Sequence, residues 1–167
     1  VTEEGTLLDR AEKKAYRLLS LRSHSEKELR VKLLKGGFPA PVADDLIGRL
    51  REKGYLDDRA FARQRARDLA MNRLAGDRRI SLDLRGRGIS EALCREAIRE
   101  VRGEIGEEEA VDRLIRKKAK GAAVAGMDDR RKARLARSLA GKGFPAGLIF
   151  RALKRSEEEG VDDEDGE

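Results

Sequence analysis

One cysteine, one histidine, no tryptophan and 4% aromatic residues in a chain of 167 each close off a class of explanation. With Cys94 alone, no intramolecular disulfide forms, which fits a reducing compartment and points to the cytoplasm. With His24 alone, no histidine-based metal cluster exists. The scarcity of aromatics leaves leucine, isoleucine and alanine to supply the packing, which suits small helical modules better than a β-sandwich. No apolar run approaches the ~20 residues a membrane span needs. The opening "VTEEGTLLDR" has neither a basic n-region nor an apolar h-region, so it does not read as a signal peptide. Hydrophobic residues make up 39% and charged residues 42%, so the apolar core is thin.

What is present is a phrase written three times: "KGGFPAPVADDLI" from Lys35, "RGRGISEALCREAI" from Arg85 and "AGKGFPAGLIFRAL" from Ala140. Aligned on Gly37, Gly88 and Gly143, the phrases agree at six columns. Leu33, Leu84 and Leu139 stand four residues before the glycine, and Leu29, Ile80 and Leu135 eight before. Phe38, Ile89 and Phe144 follow it directly. Val42, Leu93 and Leu148 come five after, and Ile47, Ile98 and Leu153 ten after. The glycines are 51 and 55 residues apart, a period that marks a repeat protein.

The spacing has a physical reading. A helix that stops in a Schellman motif needs a left-handed residue at C′, which glycine adopts without a Cβ clash, and adds an apolar contact between C″ and C3. Glycine at C′ puts the three leucines at C3 and the Phe or Ile at C″. Ser90 then reads as an N-cap, and Pro39 and Pro145 suit the start of a helix. Each phrase is therefore a helix, a tight turn and a second helix.

A further helix precedes each corner. Leu8, Ala11, Ala15, Leu18 and Leu19 share one face and the segment ends near Arg22, after which Ser25-x-x-Glu28 reads as a capping box. Asp57 or Asp58 caps a helix carrying Phe61, Ala62, Ala66 and Leu69. Ala110, Val111, Leu114 and Ile115 face inward from a helix with acids at its start and bases at its end. A glycine/alanine linker, Gly121 to Gly126, leads to Asp128 as the next cap. The expected fold is all-α: an elongated tandem array of three three-helix repeats, helix-turn-helix-like, over 7–57, 58–102 and 107–156. Residues 157–167, "EEEGVDDEDGE", hold eight acids and no base. They are expected to be a disordered tail, free to fold back over the basic body as a mimic of DNA.

No catalytic motif survives inspection, so the protein is not expected to be an enzyme or to hold a cofactor or metal. "GAAVAGMDD" imitates a phosphate loop but has Met127-Asp128 where Lys and Ser/Thr are required. Asp44-Asp45, Asp57-Asp58 and Asp128-Asp129 are explained as residues of helix first turns. Cys94 reads as a buried structural thiol. What remains is basic surface on a chain of net charge +6, made more basic in its body by the acidity of the tail. Arg59, Arg63 and Arg67 recur every four residues and form a stripe, the expected main contact surface. Arg73, Arg78, Arg79, Arg85 and Arg87 extend it, and Arg22, Arg30 and Lys32 add charge in the first repeat. Lys117, Lys118, Lys120, Arg130, Arg131 and Arg134 do so in the third. Such surfaces attract nucleic acid or acidic protein.

Four segments carry a resemblance: "LLSLRSHSEKELRVKL", "GYLDDRAFAR", "GDRRISLDLRGRGI" and the corner "GKGF". They are similar to the RecX family of bacterial regulatory proteins over about residues 11 to 154. The run Gly54 to Ala62 is the most specific, and Asp77 stands where the family usually has proline. The resemblance implies a non-enzymatic regulator of RecA recombinase that lies in the groove of the RecA–DNA filament. There it inhibits recombinase, ATPase and coprotease activity, in DNA repair and the SOS response. It implies a monomer that meets DNA through the filament and only weakly alone. The competing reading is a stand-alone nucleic-acid-binding helical repeat protein. Against it, the helices after the three corners begin "PAPVADDL", "SEALCREA" and "PAGLIFRA", apolar or acidic starts unsuited to a major groove.

Overall fold

A computed structural model describes residues 3–120 and 124–162. Among the described residues, nine α-helices follow one another without a strand. The first triplet is α1 (Glu3–Leu21), α2 (Glu26–Lys35) and α3 (Ala40–Glu52). The second is α4 (Asp58–Arg67), α5 (Asp77–Gly86) and α6 (Glu91–Glu104), and the third α7 (Glu107–Ala119), α8 (Asp129–Gly141) and α9 (Ala146–Asp162). The extensive helix-on-helix packing lies within triplets, so the chain is a tandem array in which each unit meets its sequence neighbour.

The starts and stops follow the chemistry of the termini. The Ser25 hydroxyl accepts from the Glu28 N–H at 3.2 Å, and Glu28 accepts in turn from the Ser25 N–H, completing the capping box. Asp57, Ser90 and Asp128 cap α4, α6 and α8 in the same way, accepting from the N–H three residues on. The three corner glycines have φ of +85°, +83° and +96° at Gly37, Gly88 and Gly143. At each corner the residue after glycine donates to the C3 leucine: Phe38 to Leu33, Ile89 to Leu84 and Phe144 to Leu139, at 3.1–3.4 Å. These are Schellman stops. A fourth closes α3, with Gly54 at φ +78° and Tyr55 donating to Leu50 at 2.8 Å. Tyr55 then packs edge-on to Tyr16 of α1, ring centroids 5.2 Å apart.

The columns of the repeat are the core. Leu29, Leu33, Ile80, Leu84, Leu135 and Leu139 are buried, with Phe38, Ile89 and Phe144 closing each corner over them. The second and third repeats share one continuous apolar core, whereas the first has its own. The two joints nonetheless use the same geometry. The corner of the later repeat sits on the first turn of the middle helix of the earlier one. At the first joint, Ser25 Oγ donates to the Arg87 carbonyl at 2.6 Å, and a Cβ on Gly88 would lie 2.5 Å from Lys27 Cβ. At the second, the Gly76 N–H donates to the Lys142 carbonyl at 2.9 Å, and a Cβ on Gly143 would lie 2.6 Å from Arg79 Cβ. Glycine thus both stops a helix and lets two repeats touch.

Charged groups lock each joint. Arg87 pairs with Glu28 across the first and with Asp83 beside it. Burial alone would raise the Glu28 carboxyl, but hydrogen bonds from Arg22 and the Ser25 N–H outweigh it and hold it below its ordinary value. Asp83 is held far below the usual carboxylate range by Arg65, with Arg87 adding to the effect. At the second joint the Glu107 carboxylate at the start of α7 accepts from the Asp77 N–H at 3.0 Å, while Arg102, nearly buried, holds Asp77 at 2.7 Å and the Ala75 carbonyl at 2.8 Å from within the second repeat. Because Ser25 both caps α2 and bonds across the joint, Ser25→Ala is expected to lose about 1–2 kcal/mol. Ser90→Ala, which removes a cap alone, is expected to lose about 1 kcal/mol. Urea unfolding of the two variants measures the difference.

Three expectations change. The helix of α4 widens into a π turn over Asp68–Asn72, a departure that periodicity does not signal. The linker before α8 is partly core: Val124 and Met127 are buried, with a 3-10 turn at Val124–Gly126, while 121–123 lie outside the described residues. The acidic segment does not begin as a disordered tail, because α9 continues to Asp162. Its first acids are neutralised in place: Glu157 pairs with Lys132 of α8 at 2.9 Å, and Glu158 with Lys154 one turn back. The rest of that segment, 163–167, lies outside the described residues.

Candidate partner interface

The arginine stripe of α4 does not stand alone. Glu96, Glu100 and Glu104 form a matching stripe on α6, the helix against which α4 packs. Arg59 meets Glu96 at 3.3 Å, Arg63 meets Glu100 at 2.8 Å and Arg67 meets Glu104 at 2.8 Å. The ladder is surface-exposed, so each rung contributes about 0.2–1 kcal/mol. Its larger effect is on the field: three cations are cancelled by three anions. Several other expected contact residues are also engaged within the chain. Arg30 forms a bidentate pair with Asp44 on α3, Arg73 lies 3.8 Å from Asp68, and Arg22 and Arg87 hold Glu28.

Lys32 has a different task. Its Nζ lies 2.9 Å from His24 Nε2, and His24 Nδ1 lies 3.0 Å from the Arg22 carbonyl. A neutral imidazole with Nδ1 protonated satisfies both contacts, donating to the carbonyl and accepting from the ammonium. Burial, together with the cations of Arg22 and Lys32, lowers the His24 pKa. The sign follows from linkage. The unfolded state takes up a proton below about pH 6.5 and the folded state resists it, so stability falls as the pH drops through that range. Thermal unfolding at pH 7.5 and pH 5.5 is expected to show a larger fall in Tm for the wild type than for His24→Gln, which cannot titrate.

Three of the expected residues converge where the second repeat meets the third. Arg78, Arg79 and Arg85 on α5 line a groove of about 790 Å³ with Arg95, Arg99 and Arg102 on α6, closed at one end by the third corner. Arg102 pairs with Asp77 and Arg95 with Glu91. Arg78, Arg79, Arg85 and Arg99 are exposed and have no ion pair among the described residues. Leu82, 58% exposed, lies among them. Unpaired guanidinium groups around an exposed apolar side chain suit a protein interface, where arginine is enriched. Arg99 and Leu82 were not singled out from the sequence, because only the fold brings α6 beside α5.

Cys94 is buried, its thiol pushed up by burial, so it is not a poised nucleophile. No helix among the described residues is long and apolar enough to cross a membrane.

Comparison with known proteins agrees with this architecture repeat by repeat. Models of the first, second and third three-helix domains of RecX match residues 11–50, 57–98 and 106–153. A regulatory protein RecX of Thermus thermophilus is 38% identical over 146 residues, 87% of this chain and 92% of its own. That of Syntrophotalea carbinolica is 32% identical over 136 residues, 81% of this chain and 89% of its own. The crystal structure of RecX from Lactobacillus salivarius superposes with a TM-score of 0.76, covering 92% of this chain and 98% of that one, at 19% identity. Three helical triplets in the same order, matched by three successive domain models and by relatives over most of their length, place the chain in the RecX family of regulatory proteins.

Proposed function

We propose that this protein is a non-enzymatic regulator of the RecA recombinase, acting in DNA repair and the SOS response. It lies as a monomer in the groove of the RecA–DNA filament and inhibits recombinase, ATPase and coprotease activity. The observation that carries the proposal is the groove between the second and third repeats. It offers four unpaired arginines around an exposed Leu82. The arginines suit carboxylates or phosphates equally. The exposed leucine favours a protein partner, since a phosphate backbone has nothing to bury it. A tandem array of rigid corners also suits an extended groove, where several modest contacts add along its length.

The experiment is a titration of this protein into RecA hydrolysing ATP on single-stranded DNA. A concentration-dependent fall in ATPase rate is expected at fixed DNA. An unchanged rate, with the protein folded and in excess over RecA, would overturn the proposal.

A further inference from the structure

A second groove, of about 750 Å³, opens in the third repeat between the π turn after α4, the end of α7 and the face of α8. Its floor is aliphatic: Leu114, Met127 and Leu135 are buried, and Leu74 half-buried. Its rim carries Lys117, Lys118, Lys120, Arg131 and Arg134, none of them ion-paired among the described residues. Arg73 and Lys142 complete it, and no carboxylate is among the described residues that line it.

The backbone is unusual at this same place. Leu74 and Lys120, at φ +49° and +51°, are the non-glycine residues with positive φ among the described residues, and both line this groove. The left-handed region costs such side chains about 1 kcal/mol or more. The π turn at Asp68–Asn72 ends beside them, and π turns often mark functional sites. Three local irregularities thus converge on one cationic cleft.

We propose that this groove binds an acidic protein segment bearing one or two large aliphatic side chains. Charge complementarity selects the acids, because no carboxylate lines the cleft among the described residues and its five rim cations have no ion pair there. The floor selects the aliphatic side chains: Leu and adaptable Met accept them, and no aromatic is present on which a nucleic-acid base would stack. The site is separate from the arginine groove and does not depend on the filament reading.

The test uses the full chain and a fluorescein-labelled short peptide of Asp and Glu carrying two leucines one helical turn apart. The controls are the same peptide with serines in place of the leucines, and an oligothymidylate of equal charge. Anisotropy is expected to show tighter binding of the leucine peptide than of either control. Reversing Lys118, Arg131 and Arg134 to Glu is expected to weaken it by about tenfold or more. Reversing the exposed Arg10, Lys13 and Arg17 of α1, an equal change in net charge, is expected to leave it within about twofold. Leu74→Asn keeps a residue that tolerates the left-handed region. It is expected to weaken the leucine peptide and leave the serine peptide unchanged. Circular dichroism verifies the fold of each variant. Four results would each overturn the proposal: equal binding by the rim variant, no preference for leucine over serine, displacement of the peptide by oligothymidylate, or binding that requires removal of residues 163–167.

Discussion

Replacing Arg78, Arg79 and Arg85 together by glutamate is expected to weaken binding to RecA–DNA filaments by about a hundredfold or more, and to abolish ATPase inhibition at working concentrations. Charged groups that meet complementary charge at a desolvated interface commonly contribute more than about 1 kcal/mol each, and reversal adds repulsion. The fold should tolerate the change. The three side chains are exposed and unpaired, and Arg78 and Arg79 lie in the first turn of α5, where an acid is favoured by the helix dipole. The α4 stripe makes a less clean test. Glutamates at positions 59, 63 and 67 would face Glu96, Glu100 and Glu104, so stability is expected to drop by about 1–3 kcal/mol before binding is considered. Retained inhibition by a folded Arg78/Arg79/Arg85 variant would move the contact surface away from this groove.

The largest effect on stability is expected at the second joint. Gly143→Ala forces a side chain into the left-handed region and sets its Cβ onto the Arg79 backbone. A loss of about 3 kcal/mol or more is expected, the sum of backbone strain and overpacking. Gly37→Ala provides the internal control. Its φ is just as positive, but a Cβ there meets nothing within 4 Å, because no earlier repeat docks on the first corner. It should lose only about 1 kcal/mol. Equal losses would mean that the joint yields freely and that glycine serves only the turn. Gly88, whose Cβ would meet Lys27, should fall between the two.

Legibility in the sequence divides along the range of the interactions. The corners could be read because a Schellman stop is local: a glycine, a C3 leucine and a C″ apolar residue lie within six positions. The caps at Ser25, Asp57, Ser90 and Asp128 could be read for the same reason. Even so, Gly54 passed unread as a fourth corner, because it has no counterpart in the other two repeats. The candidate surface was legible only as a list of cations. That Arg63 faces Glu100 while Arg79 has no ion pair among the described residues depends on which helices lie side by side. Glu96, Glu100 and Glu104 carry the four-residue spacing openly, and weighing acids against bases by spacing would have flagged the pairing. His24 gave no such signal, since it sits in the loop before α2 and its neighbour Lys32 lies about two turns along that helix. The second function of the corner glycines, contact between repeats, is likewise tertiary and invisible to spacing.

Sedimentation of this protein with RecA filaments formed on single-stranded DNA, with the same DNA alone as control, tests the central claim most directly. At near-physiological salt the protein should pellet with the filaments and remain largely in the supernatant with bare DNA, while the Arg78/Arg79/Arg85 variant should remain in the supernatant in both. Equal pelleting of the wild type with filament and with bare DNA, or none with either, would contradict the account.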